Sequence, residues 1–235
     1  MGNYTFANWR PATCRPDHCF CEAIRSGAVA QPADTWSNLG FVLVGLLIAN
    51  AHGRASDSPM AAYRRIYGYA LVLIGLGSGF YHASLTFVGQ LMDVSGMYVL
   101  ITFALLYGLA RIYRTGRVQF IATYAGTNIL LFFVQATVPG VRRYVFAVLV
   151  IGVLAVEIYR HRKSPMPIES KWLWRAAGTM AVGFTIWVLD ITKTVCAPYS
   201  LVQGHAIWHL LGALAAFCLY RYYQSESLTR ITAAS

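Results

Sequence analysis

Five residues of this chain have the types and spacing to do chemistry together. Ser78 and His82 stand four apart, as do His205 and His209, and Asp93 follows His82 after a short turn. On a helix, residues at i and i+4 share a face. Three neutral imidazoles suit a zinc ion and leave one of its four positions open. A water there loses its proton near neutral pH, at roughly pH 7. A neighbouring carboxylate can take that proton or orient the water. A hydroxyl such as that of Ser78 can support a ligand or donate to a developing oxyanion. Each residue alone has a plainer reading. The His205/His209 pair could cap lipid headgroups, His82 could be an interhelical donor, and Asp93 could hold an arginine. The five together, at a common depth, point to a metal centre with an acid–base group beside it.

The elements that must carry these residues are membrane helices. Of 235 residues, 57% are hydrophobic and 12% charged, against about a quarter charged in soluble domains. Apolar runs at Trp36–Ala51, Ile66–Ser84, Val88–Leu109, Val118–Val134, Tyr144–Tyr159, Trp172–Ile191 and Leu201–Tyr220 approach the roughly 20 residues that cross a bilayer. The fourth is the least apolar, with Thr123, Thr127 and Asn128. A bilayer leaves backbone groups without water, which favours helices, and the runs are too long for barrel strands. The fold expected is all-α, a polytopic bundle of seven transmembrane helices. Residues 1–34 read as an external segment folded over the bundle end, 35–222 as the helical domain and 223–235 as a cytoplasmic tail. Ionisable side chains inside such helices are costly and demand a reason, and the zinc centre supplies one.

A net charge of +10 first suggests nucleic acid. The basic residues fall instead in groups between apolar runs, such as Arg64-Arg65, Arg142-Arg143 and Arg160/Arg162/Lys163. That is the pattern of loop anchors at a bilayer face. The partners expected are therefore the bilayer and a membrane lipid, with no nucleic acid and no obligate protein partner. With the N-terminus outside, thirteen of the nineteen Lys and Arg residues lie on the inner side. The positive-inside rule then places the C-terminus in the cytoplasm, and the N-terminus with the zinc site toward the exterior, periplasm or lumen. Cys14, Cys19, Cys21 and Cys196 all fall on that outer face, where an oxidising compartment lets some of them pair. Cys218, mid-helix, reads as a small buried residue. His18, His52 and His161 lie outside the apolar runs and receive no role.

The motifs carry a resemblance. S-G-F-Y-H (Ser78–His82), Asp93 and H-A-I-W-H (His205–His209) resemble the alkaline ceramidases, within a wider superfamily that includes the adiponectin-type receptors. Cys21-Glu22 followed by Q-P-A-D-T-W-S-N-L (Gln31–Leu39) is similar to that family's N-terminal segment. The resemblance runs from about Asp17 to Tyr220. It implies seven helices and an intramembrane zinc amidase. In it His82, His205 and His209 bind zinc, Asp93 deprotonates the water and Ser78 stabilises the intermediate. It also implies a Cys21–Cys196 disulfide and a calcium site involving Asp17, Glu22 and Asp34. The calcium pattern is altered here. Cys19 stands where the family has a carboxylate, Ile24 replaces an Asn, Gln31 a Glu, and Asp34 an Asn. Without calcium, these acids balance Arg10, Arg15 and Arg25.

The activity expected is hydrolysis of a ceramide-like lipid amide to a fatty acid and a sphingoid-type base, with a long apolar pocket reaching in from the zinc. Two rivals remain at this stage: a hydrolase of another N-acyl lipid, and a non-catalytic, receptor-like protein with structural zinc.

Overall fold

The computed structural model describes residues 5–6, 8–14, 19–51, 59–163 and 169–233, with side chains as far as residue 225. Among them are seven helices and no strand. They are α1 (Pro32–Asn50, interrupted at Asn38), α2 (Pro59–Ser84), α3 (Phe87–Tyr113), α4 (Arg117–Thr137), α5 (Arg142–Lys163), α6 (Ser170–Ile191) and α7 (Gly204–Ala233).

Each apolar run coincides with one helix, but most of the helices outrun the apolar stretch. The backbone ladder continues through polar flanks that hydropathy discards, such as Tyr63–Arg65 at the start of α2 and Arg160–Lys163 at the end of α5. The first helix starts at Pro32, where proline occupies the first turn without loss. Asp34, counted above with the external segment, belongs to that turn. The last helix starts at Gly204 rather than Leu201 and runs to Ala233, and so takes in residues 223–233 of the expected cytoplasmic tail.

Packing is organised around α2, α3 and α7. Helix α2 lies between α1 and α3, α3 also carries α4 and α5, and α7 carries α6 and packs on α1. Helices α1 and α2 approach through Gly45 and Gly68. A Cβ on either would stand 2.5 or 2.6 Å from the other's carbonyl oxygen. Small residues at such crossings let helix backbones meet where lipid offers no hydrophobic drive to associate. An aromatic core of Tyr67, Phe103, Tyr107, Phe120 and Tyr223 fills the bundle toward the end away from the histidines. There Arg160 Nη1 donates to both oxygens of buried Glu157, at 2.9 and 2.7 Å.

The outward faces are apolar. Leu47, Leu76, Val88, Leu130, Val148, Val182 and Leu210, one from each helix in turn, are exposed. Exposed apolar surface on that scale is the mark of a face made for contact with lipid or protein. By length and composition α1, α3 and α4 are apolar enough to cross a membrane.

Candidate metal centre

Histidine 82 ends α2, and the chain turns into α3 within two residues. Leu85 takes a left-handed backbone (φ 52°), and Thr86 caps α3 by accepting from the Gly89 N–H at 3.0 Å. The N-terminal segment braces this turn. Ala12 N donates to Leu85 O at 3.0 Å and Phe87 N to Arg10 O at 2.8 Å. The turn brings Ser78 on α2 beside Asp93 on α3. The two helices are close at that level, because a Cβ on Gly77 would lie 2.6 Å from Met92 O and 3.1 Å from Asp93 N. Asp93 is half-buried, with the Ser78 side chain as its neighbour.

Helix α7 brings the other two histidines. Its start is fixed by Asp190, buried at the end of α6. Asp190 Oδ2 accepts from His205 N and Oδ1 from Cys21 N, each at 3.1 Å. Gly204 admits this cap, since a Cβ there would lie 2.9 Å from that of Asp190. A carboxylate at a helix N-terminus satisfies free N–H groups and suits the helix dipole.

His82, His205 and His209 then converge. One nitrogen from each ring lies within 4.8 Å of the others, and all three are buried. His82 Nε2 and His205 Nε2 are 3.2 Å apart. Phe20, from the N-terminal segment, covers the cluster with ring centroids 4.9 Å from His82 and 4.4 Å from His205. Three neutral donors meeting beneath Phe20 fit a zinc ion, which takes imidazole nitrogen and leaves a fourth position open. Asp93 does not join this ligand group among the described residues.

The expected calcium residues are placed differently. Asp17 lies outside the described residues, as do His18 and His52. The Glu22 carboxylate caps α1, accepting from Ala33 N at 2.9 Å and Asp34 N at 2.8 Å. Burial pushes its carboxyl up, against the pull of those two donors and of Arg25. Asp34 is fully buried. Its carboxylate oxygens have no well-formed hydrogen bond among the described residues, and Oδ2 stands 3.9 Å from His82 Nδ1. No cluster of three carboxylates occurs among the described residues.

Two disulfides hold the segment. Cys21 is joined to Cys196, with Cα atoms 5.5 Å apart, and Cys14 to Cys19. Cys218 is free and buried. Of the tail arginines, Arg10 lies 3.8 Å over the Phe87 ring and Arg25 donates to Tyr199 O at 3.1 Å. The sequence reading missed Asp190, Phe20 and Ser37, whose hydroxyl is 2.8 Å from His209 Nδ1. Asp190 carried a usable signal, because a carboxylate at the end of an apolar run requires partners. The helix start beside it supplies them.

Two apolar grooves open at the surface. One, of about 420 Å³, runs between α3 and α4 past Val99, Ile129 and Phe132. The other, of about 370 Å³, runs between α1 and α7 past Trp36, Ala206 and Leu210 and includes Ser37. Neither is lined by the three histidines.

A family model for ceramidases matches residues 10–232. The chain belongs to the ceramidase family. Its similarity to other ceramidases is low in identity and broad in extent. Alkaline ceramidase 1 of Mus musculus is 27% identical over 212 residues, covering 83% of this chain and 73% of the relative. The Homo sapiens protein of the same name is 26% identical over 208 residues, covering 83% and 76%. The alkaline ceramidase of Arabidopsis thaliana is 25% identical over 217 residues, covering 89% and 82%.

Proposed function

We propose that this chain is a seven-span membrane hydrolase that uses zinc to cleave the amide bond of ceramide or a closely related N-acyl lipid. One observation carries the reading: three buried imidazoles converge one helical turn along α2 from the Ser78–Asp93 pair. Histidines alone would serve a structural metal. An acid–hydroxyl pair beside them is what amide hydrolysis adds, and the names of the relatives supply the substrate class.

His82, His205 and His209 would hold the ion through ring nitrogens. When bound, zinc supplies Lewis acidity toward the amide carbonyl and lowers the pKa of a water. Asp93 takes the proton of the attacking water as the new C–O bond forms. Ser78, with a single proton to donate, turns it from Asp93 to the oxygen on which charge develops. As the C–N bond breaks, Asp93 passes its proton to the departing nitrogen, leaving a fatty acid and a free amine. Phe20 limits water around the rings. The groove between α1 and α7 is assigned to the acyl chain, because it alone of the two reaches Ser37 beside His209. Exposed apolar faces on all seven helices support the membrane setting, and the basic-residue count supports an outer N-terminus.

Calcium takes six to eight oxygens, and among the described residues no three carboxylates come together. The test is a panel of lipid amides incubated with the purified chain, with products identified by mass spectrometry. Release of fatty acid and sphingoid base from ceramide is expected. Selective turnover of a different N-acyl lipid would move the substrate assignment, and no turnover of any amide would overturn the enzyme reading.

A further inference from the structure

Among the three histidines, one ring has its tautomer dictated by a neighbour. Gln31 Oε1 lies 3.0 Å from His82 Nδ1. The amide orientation is fixed by its other end, where Gln31 Nε2 donates to Glu22 O at 2.9 Å, an atom that can only accept. Oε1 is therefore the atom facing the imidazole, and as a carbonyl oxygen it too only accepts. His82 Nδ1 must carry the proton, and Nε2 keeps its lone pair on the side where it meets His205 Nε2. The other rings are less constrained. His209 Nδ1 faces both the Ser37 hydroxyl at 2.8 Å and the Asn38 amide nitrogen at 3.2 Å. His205 Nδ1 has no partner among the described residues.

Gln31 is itself firmly held. It is fully buried, and its backbone N–H donates to His82 O at 3.1 Å. Its partner Glu22 follows Cys21, which the disulfide ties to the loop before α7. Asp34 Oδ2, at 3.9 Å from the same His82 nitrogen, is too far to replace Gln31 without movement.

We propose that Gln31 is a positioning residue of the metal centre, fixing His82 in the tautomer that presents Nε2 to the ion and linking that ligand to the disulfide-anchored N-terminal segment. The proposal rests on the zinc reading above. Outer partners of this kind orient the ring and raise its basicity, and their loss typically costs about 10–100-fold in metal affinity.

The test is zinc affinity by chelator competition, with the visible absorption of the cobalt-substituted form, on the full-length chain. Wild type is compared with Gln31→Met and Gln31→Glu. Methionine keeps the length and removes the acceptor. Glutamate keeps an oxygen facing Nδ1–H and loses the donor to Glu22 O. Gln31→Met should bind zinc about 10–100-fold more weakly and shift the cobalt spectrum, while Gln31→Glu stays close to wild type on both. Gln31→Met with wild-type affinity overturns the proposal. So does an equal loss in both variants, since Gln31 would then matter only as a tether for Glu22. Wild-type protein that takes up no zinc overturns the metal reading itself and this inference with it.

Discussion

Substituting Gly77 by alanine tests whether the α2–α3 contact sets the geometry of the proposed acid–base pair. The added Cβ would stand 2.6 Å from Met92 O and 2.7 Å from Met92 C, both backbone atoms that cannot rotate away. To reach the 3.4 Å of ordinary contact, α3 must retreat by about 0.8 Å at the turn that carries Asp93. That displacement acts directly on the approach of Asp93 to Ser78. Overpacking of this kind costs about 1–3 kcal/mol, so the variant should fold with a lowered Tm. A misplacement near 1 Å costs about 10²-fold in rate, so kcat should fall by roughly that factor. His205 and His209 sit on α7, away from the contact, so zinc content should hold. Gly126→Ala is the control, since its Cβ meets nothing within 4 Å, and it should leave kcat unchanged without lowering Tm, alanine being the better helix former. The assay is turnover, zinc content and Tm on one preparation of each variant. Wild-type turnover in Gly77→Ala, with the lowered Tm, would refute the claim that this contact positions Asp93.

Other outcomes follow from the same geometry. Asp93→Asn should retain zinc, because Asp93 lies outside the ligand group, and should lose about 10²-fold or more in turnover, read by metal analysis beside a rate assay. Cys21→Ser or Cys196→Ser should lower stability by about 2–4 kcal/mol, read as a drop in Tm, and a non-reducing peptide map of the wild type should show Cys21 with Cys196 and Cys14 with Cys19. In a cysteine-free background on sealed cells, a membrane-impermeant thiol reagent should label a cysteine at Ser200 and not one at Ser56. The reverse pattern would invert the topology.

Much of this was legible in the sequence because it depends on local order. The i, i+4 spacing of Ser78/His82 and of His205/His209 fixes one helix face regardless of what packs there, and seven apolar runs lead to seven helices. Helix ends were less legible, because hydropathy marks an apolar slab while caps decide where a ladder starts. Glu22 starts α1 early, and Asp190 starts α7 late. The neighbours of the histidines were hidden for a different reason. Phe20, Gln31 and Ser37 reach the rings through contacts 51 to 185 residues distant in sequence, and no periodic pattern encodes such pairs. Asp34 shows the limit most plainly. The resemblance implied a calcium residue and the alternative a partner for the tail arginines, and its place is a fully buried turn beside His82.

Ceramide turnover measured against zinc occupancy in a single preparation of the wild-type chain tests the metal centre most directly. Zinc should be present at about one ion per chain, as three convergent imidazoles require. Stripping it should abolish release of fatty acid from ceramide, and restoring it should return the rate in proportion to occupancy, while His205→Ala should neither retain zinc nor recover. Ceramide hydrolysis that persists in metal-free protein, or full zinc occupancy in His205→Ala, would contradict the assignment of His82, His205 and His209 as the catalytic metal centre.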